Sequence, residues 1–193
     1  MSILTVEHLS HGFGDRAIFQ DVSFRMLKGE HIGLVGANGE GKSTFFNIIT
    51  GAQRPDEGKI EWAKNINIGY LDQHTVLEKG LSIRDVLKSA FADLFEMEIR
   101  MNTICEQLCD ADEDTMNALM EELGVIQDTL TLRDFYLIDS KVDEIARAFG
   151  LTDIGLDKDV TDLSGGQRTR ILLGKLLLQK PDILLLDEPT NYL

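Results

Sequence analysis

Gly36-Ala37-Asn38-Gly39-Glu40-Gly41-Lys42-Ser43-Thr44 decides how this chain is read. Its Gly-x4-Gly-Lys-Ser spacing is the phosphate-loop pattern, which carries weight only between a strand and a helix. The flanks supply that context. His31 to Val35 is a short apolar run that reads as a strand, and Lys42 to Thr50 reads as a helix stopped by Gly51. Gly36, Gly39 and Gly41 let the backbone wrap closely, so that the amides from Asn38 to Thr44 and the helix N-terminus face an anion. Lys42 would reach the β- and γ-phosphates of a nucleotide, and the Ser43 hydroxyl would ligate Mg²⁺. The plain rival is a glycine-rich turn with no function. A second phosphate-site element downstream disfavours it.

That element is Ile183-Leu184-Leu185-Leu186-Asp187-Glu188, an apolar run suited to a buried parallel strand, ending in two carboxylates. Asp187 would hold Mg²⁺ through water, and Glu188 would orient or deprotonate a water beside the γ-phosphate. A solvated strand terminus is the alternative reading.

Around these motifs, Ile3–Leu9, Val22–Leu27, Lys59–Trp62 and Ile66–Leu71 also read as strands. From Leu81 the apolar period lengthens to about 3.6, and Val86, Leu87, Phe91, Leu94, Phe95, Ile99, Ile104 and Leu108 predict one long helix. The acids of Asp110 to Asp114 can cap a second helix through Leu119, Met120, Leu123 and Ile126, giving a helical hairpin. A third helix is expected over Lys141–Phe149 and a fourth from Ser164 to before Pro181. The reading is α/β: a β-rich core over 1–80, a helical part over 81–162 with an arm-like hairpin at about 94–136, and a last segment over 163–193.

The chain has 193 residues and a net charge of −14, of which residues 91–150 contribute −11 from 15 acids and 4 bases. Such a segment repels phosphate backbones. No apolar run approaches a membrane span and no secretory leader is evident, so a cytoplasmic location is expected. Cys105 and Cys109 are too few for a disulfide framework and are expected as a reduced, partly buried pair. Asp110, Asp112, Asp114 and Glu121 imitate an EF-hand loop, but Thr115 stands where the turn needs glycine, which favours helix capping over calcium.

Leu163-Ser164-Gly165-Gly166-Gln167 opens the fourth helix with a glycine pair suited to presenting a hydroxyl and amides to an anion. With Gly36–Ser43, Gln73 after the strand Ile66–Leu71, and Leu184-Leu185-Leu186-Asp187-Glu188-Pro189-Thr190, it makes the chain closely resemble the ABC ATPases of the P-loop NTPase class, from end to end. The resemblance implies ATP and Mg²⁺ as cofactors. It further implies that Phe13 stacks on adenine, that Gln73 contacts Mg²⁺ and senses the γ-phosphate, and that Ser164, Gly166 and Gln167 contact ATP held by a second, opposing ABC domain. A core or turn aromatic remains the rival reading of Phe13.

The separation of Gln73 from Ser164 is longer than in transporter subunits, and the extra residues fall in the acidic hairpin. With Asp187-Glu188-Pro189-Thr190-Asn191-Tyr192-Leu193, this resembles the first domain of bacterial ABC-F proteins, whose arm implies a ribosomal partner. The charge turns that expectation away from RNA and toward a basic ribosomal protein, with Arg100, Arg133, Lys141 and Arg147 as the few bases available. The ATPase subunit of a membrane transporter, and a nucleotide-binding module without turnover, stay open beside it. Leu193 precedes the positions where the family has its D-loop aspartate, a further strand and a switch histidine, so a C-terminally incomplete domain is expected. Such a piece would bind more than it turns over, and an unpaired sheet edge would favour self-association.

Overall fold

Two long strands open the chain. In the computed structural model, which describes residues 2–14, 16–71 and 77–187, β1 (Ser2–Phe13) and β2 (Arg16–Leu27) form an antiparallel hairpin. On β1 the alternation of Leu4, Val6 and Leu9 buries one face, and its register slips between Val6 and Leu9, where His8 takes a positive φ. β3 (Glu57–Trp62) pairs antiparallel with the other edge of β1, giving the order β2-β1-β3.

A second sheet consists of β4 (Ile68–Leu71) and β5 (Ile183–Leu186), parallel and in register from Ile68 with Ile183 to Leu71 with Leu186. The apolar run before Asp187 is therefore a parallel strand, as its composition predicts. Helix α1 (Lys42–Ile49) shares a core with both sheets: Ile48 packs with Leu4, Val6 and Leu9, while Ile49 packs with Ile3, Ile183 and Leu185. Trp62, the sole tryptophan, donates its indole N–H to the Ile49 carbonyl at 2.8 Å and ties β3 to the end of α1.

The expected strand at His31–Val35 does not form. Residues 31–36 make no ladder, and Ile32, Leu34 and Val35 are exposed, Val35 at 94%. Strand formation belongs to a pair rather than to a segment, and among the described residues no neighbour receives this run's N–H and C=O groups. β5 likewise has β4 as its one described neighbour.

Described residues 2–71 with 181–187 make one compact unit, and 77–180 make a second, helical one. The last segment is thus shared between them, its helix in the second unit and its strand in the first. The helical unit contains α2 (Ile83–Lys88), α3 (Ala92–Gln107), α4 (Glu113–Leu132), α5 (Ile138–Ala148) and α6 (Gly165–Leu178) around buried Leu87, Leu94, Ile104, Leu130, Val142 and Ile171. The single long helix expected from Leu81 is two, parted by a 3-10 turn at Ser89–Phe91. There the Ser89 hydroxyl donates to the Val86 carbonyl at 2.7 Å, engaging an acceptor of the last turn of α2. The apolar stripe runs on through the break, but Ile99 and Met120 point to solvent.

Cys105, near the end of α3, and Cys109, in the turn after it, are exposed rather than partly buried, while Ile104 beside them is buried in the core. The acids before α4 act as a cap: Asp112 accepts the Thr115 N–H at 2.9 Å. α2 starts with a reciprocal box in which Ser82 and Asp85 satisfy each other's backbone N–H. Asp159 accepts from the Thr161 hydroxyl and backbone N–H and from the Gly80 N–H.

These bonds favour the ionised form, so the Asp112, Asp85 and Asp159 carboxyls all lie below the ordinary aspartate range, chiefly through hydrogen bonds from Thr115, Ser82 and Thr161 respectively. A carboxyl whose folded-state pKa is lowered stabilises the fold fully above its unfolded value and loses that contribution as pH falls through the folded one. The helical unit should therefore weaken progressively below about pH 4. Urea midpoints followed by circular dichroism at pH 7 and pH 3 should differ less in Asp112→Asn than in the unaltered protein. An equal pH dependence in both would contradict the assignment.

Candidate functional site

Gly41 sits at the N-terminus of α1 with φ +97°, a conformation that glycine adopts at little cost. A Cβ there would lie 2.1 Å from Ile18 Cγ2, so the loop is also pressed against β2. Gly39 has φ +82° but open space around it. Between them the chain turns so that Lys42, Ser43 and Thr44 occupy the first turn of α1, whose N–H groups have no partner within the helix. Gly36, Ala37, Asn38 and Gly39 are exposed on the same loop.

Lys42 folds back over this loop, its Nζ donating to the carbonyls of Gly36 at 2.9 Å and Ala37 at 3.0 Å. Glu40, one of the pattern's unspecified positions and passed over in the sequence, accepts the Ala37 N–H through Oε2 at 2.6 Å and braces the turn from within. Its motif spacing offered no sign of that role.

Asp187, at the carboxyl end of β5, is 4% exposed and accepts a 2.5 Å hydrogen bond from the Ser43 hydroxyl. A buried carboxylate is costly unless a hydrogen bond or a cation compensates it. A serine hydroxyl and a carboxylate oxygen brought together beside a row of amides form an oxygen donor set suited to a hard divalent cation. Mg²⁺ in phosphate sites characteristically takes few protein ligands and fills its shell with phosphate and water.

Phe13 ends β1 at the tip of the first hairpin, 57% exposed, with its ring edge-on to His11 at 5.2 Å. The structure thus gives Phe13 one packed side and one open side. In the helical unit, Ser164 caps α6: its Oγ accepts the Gln167 N–H and its own N–H donates to Gln167 Oε1 at 2.9 Å, with Gly165 and Gly166 in the first turn. Ser164 and Gln167 therefore have a local capping duty besides any ligand contact. Gln73 and Glu188 lie outside the described residues; of the other candidates, Gly36, Asn38, Gly39, Gly41, Lys42, Ser43 and Thr44 lie along one loop and helix start, and Asp187 meets them at Ser43.

The family described as ABC transporter matches residues 19–191. The chain belongs to the ABC ATPase family. Over all 193 residues it is 72% identical to an ABC transporter ATP-binding protein, YfmM, of Bacillus subtilis, covering 37% of that protein. It is 36% identical over 191 residues to the energy-dependent translational throttle protein EttA of Mycobacterium tuberculosis, covering 99% of this chain and 33% of that one. It is 33% identical over 191 residues to ABC transporter F family member 2 of Arabidopsis thaliana, covering 97% of this chain and 28% of that one. Among solved structures, an inward-facing metal-chelate type ABC transporter superposes over the whole chain and 62% of its own, with a TM-score of 0.61 at 26% identity. The chain spans 28% to 37% of the length of the three curated relatives. It is an ABC ATP-binding domain with relatives in the F group, and among the described residues no helix is long and apolar enough to cross a membrane.

Gly41→Ala should destabilise the β-rich unit by more than Gly39→Ala, since both meet the left-handed penalty of about 1–2 kcal/mol but only Gly41 meets Ile18. Urea unfolding monitored by Trp62 fluorescence measures both. Equal losses would mean that Ile18 does not press on the loop.

Proposed function

We propose that this chain binds Mg-ATP on the loop from Gly36 to Thr44 and, paired with a second ABC domain, hydrolyses it to gate an encounter with the ribosome during translation. The observation that carries the nucleotide reading is the contact of Ser43 with the buried Asp187 at the mouth of the loop. The first-turn amides of α1 receive the phosphates, and Lys42 exchanges its carbonyl partners for the β- and γ-oxygens. Ser43 and Asp187 hold the cation, which when bound neutralises charge on those oxygens. Phe13 offers its open face to the adenine. Gln73 and Glu188 take the γ-phosphate and the attacking water, and Ser164, Gly166 and Gln167 face the nucleotide on the opposing domain.

The ribosomal part of the proposal is supported by similarity to a translational throttle protein and an F family member, and by the hairpin of α3 and α4. All four bases of the acidic segment are already engaged within it. Arg100 pairs with Glu122 at 2.6 Å, Arg133 with Asp93, and Lys141 with Asp134 at 2.9 Å, while Arg147 donates to the Asp143 carbonyl. The uncompensated charge on the hairpin is thus carboxylate, which favours a basic protein over RNA as the surface it meets.

Calorimetry with Mg-ATP should show binding to the protein and a loss of about ten- to a hundredfold in Lys42→Ala, the range for removing a charge-assisted contact. Phosphate release in the same samples, abolished by Glu188→Gln, separates an enzyme from a binding module. Affinity that is unchanged in Lys42→Ala would refute the nucleotide site. Ribosome co-sedimentation that survives deletion of residues 94–136 would leave the site standing and remove the arm from the proposal.

A further inference from the structure

His11 is a buried imidazole, 7% exposed, that the proposed chemistry does not use. Its Nε2 lies 2.8 Å from the Gln53 side-chain nitrogen, within hydrogen-bond distance. That Nδ1 is buried and faces Asp56 Oδ2 at 3.3 Å. The same carboxylate oxygen accepts the Gly12 N–H at 2.9 Å. Gln53 in turn hangs from the end of α1, its backbone N–H donating to the Asn47 carbonyl at 3.0 Å. The segment that follows the phosphate-loop helix therefore holds Nε2 of His11 through Gln53 and sets the Asp56 carboxylate beside Nδ1, which itself makes no hydrogen bond. The ring lies edge-on against Phe13, with Phe19 on another side at 6.0 Å.

We infer that His11 is a positioning residue, which fixes the Phe13 ring relative to α1 so that base and phosphates are received at one set separation. The inference rests on the reading of Phe13 as the adenine platform. An exposed aromatic at a hairpin tip rotates unless something packs against it, and His11 is the ring that packs against Phe13. Polar groups beside both ring nitrogens explain why a histidine stands where an ordinary core aromatic would otherwise suffice: a phenyl ring there would leave the Gln53 amide without its hydrogen-bond partner. His11 acts on the base through Phe13 and has no part in holding the phosphates.

The test compares ATP with inorganic tripolyphosphate, both with Mg²⁺, by calorimetry on the purified protein and on His11→Ala, Phe13→Ala and the double variant. Each single variant should weaken ATP by about three- to tenfold while leaving tripolyphosphate within about twofold, and the double variant should bind ATP no more weakly than Phe13→Ala alone. If His11→Ala does not fold, His11→Asn keeps an amide for Gln53 and Asp56, removes the ring, and should behave the same way. Equal losses for ATP and tripolyphosphate would show a general structural role and overturn the inference. So would additive losses in the double variant, or an unchanged ATP affinity on losing the His11 ring while Phe13→Ala weakens it. An unchanged affinity in Phe13→Ala would instead bring down the platform reading, and this inference with it.

Discussion

Ser43 and Asp187 are separated by 144 positions, and the hydrogen bond between them joins the beginning of one helix to the end of one strand. A glycine-rich loop alone supplies amides and a lysine, which many turns could offer to a passing anion. A buried carboxylate at the same mouth would add the place for a cation, and with it, on the proposed reading, a preference for a metal-bound polyphosphate. Several features serve that single placement. The parallel register of β4 and β5 sets where β5 ends, Ile49 of α1 shares a core with Ile183 and Leu185, and Gly41 lets the loop enter α1 against Ile18.

The readable parts of the sequence were those whose physics is local. Glycine spacing, the cap before α4, most of the apolar stripe of the helices and the four-residue run before Asp187 all declare themselves within a few positions, and the structure forms them. Where partners decide, the sequence was silent. Residues 31–35 have the composition of a strand, but composition does not provide a ladder. The break at Ser89–Phe91 depends on a serine hydroxyl choosing a carbonyl three residues back, which the apolar period does not register. His11 drew no notice because its four contacts come from β1, β2 and the segment after α1, and nothing in their spacing signals that they meet. Glu40 was hidden in the same way, as a variable position within a motif defined by its fixed ones.

Charge divides the molecule as clearly as contacts do. Most of the net charge of −14 belongs to residues 91–150, where the few bases are spent on neighbouring acids or carbonyls. Exposed pairs of this kind contribute little to stability, so they bear more on the character of the surface than on its folding. The nucleotide loop and the acidic hairpin occupy different compact units, one rich in strands and one helical, and each is stabilised by a core of its own. That separation concentrates the negative charge in the helical unit, apart from the loop.

Manganese in place of magnesium gives the most direct test of the central claim, that Ser43 and Asp187 together make the cation site of a nucleotide loop. Electron paramagnetic resonance of Mn²⁺ with ATP and the protein should show a bound ion coupled to phosphorus, with binding weakened in Asp187→Asn and in Ser43→Ala. A bound ion with phosphorus coupling that neither substitution disturbs would place the cation elsewhere, and the contact between the two side chains would then be only a brace in the fold.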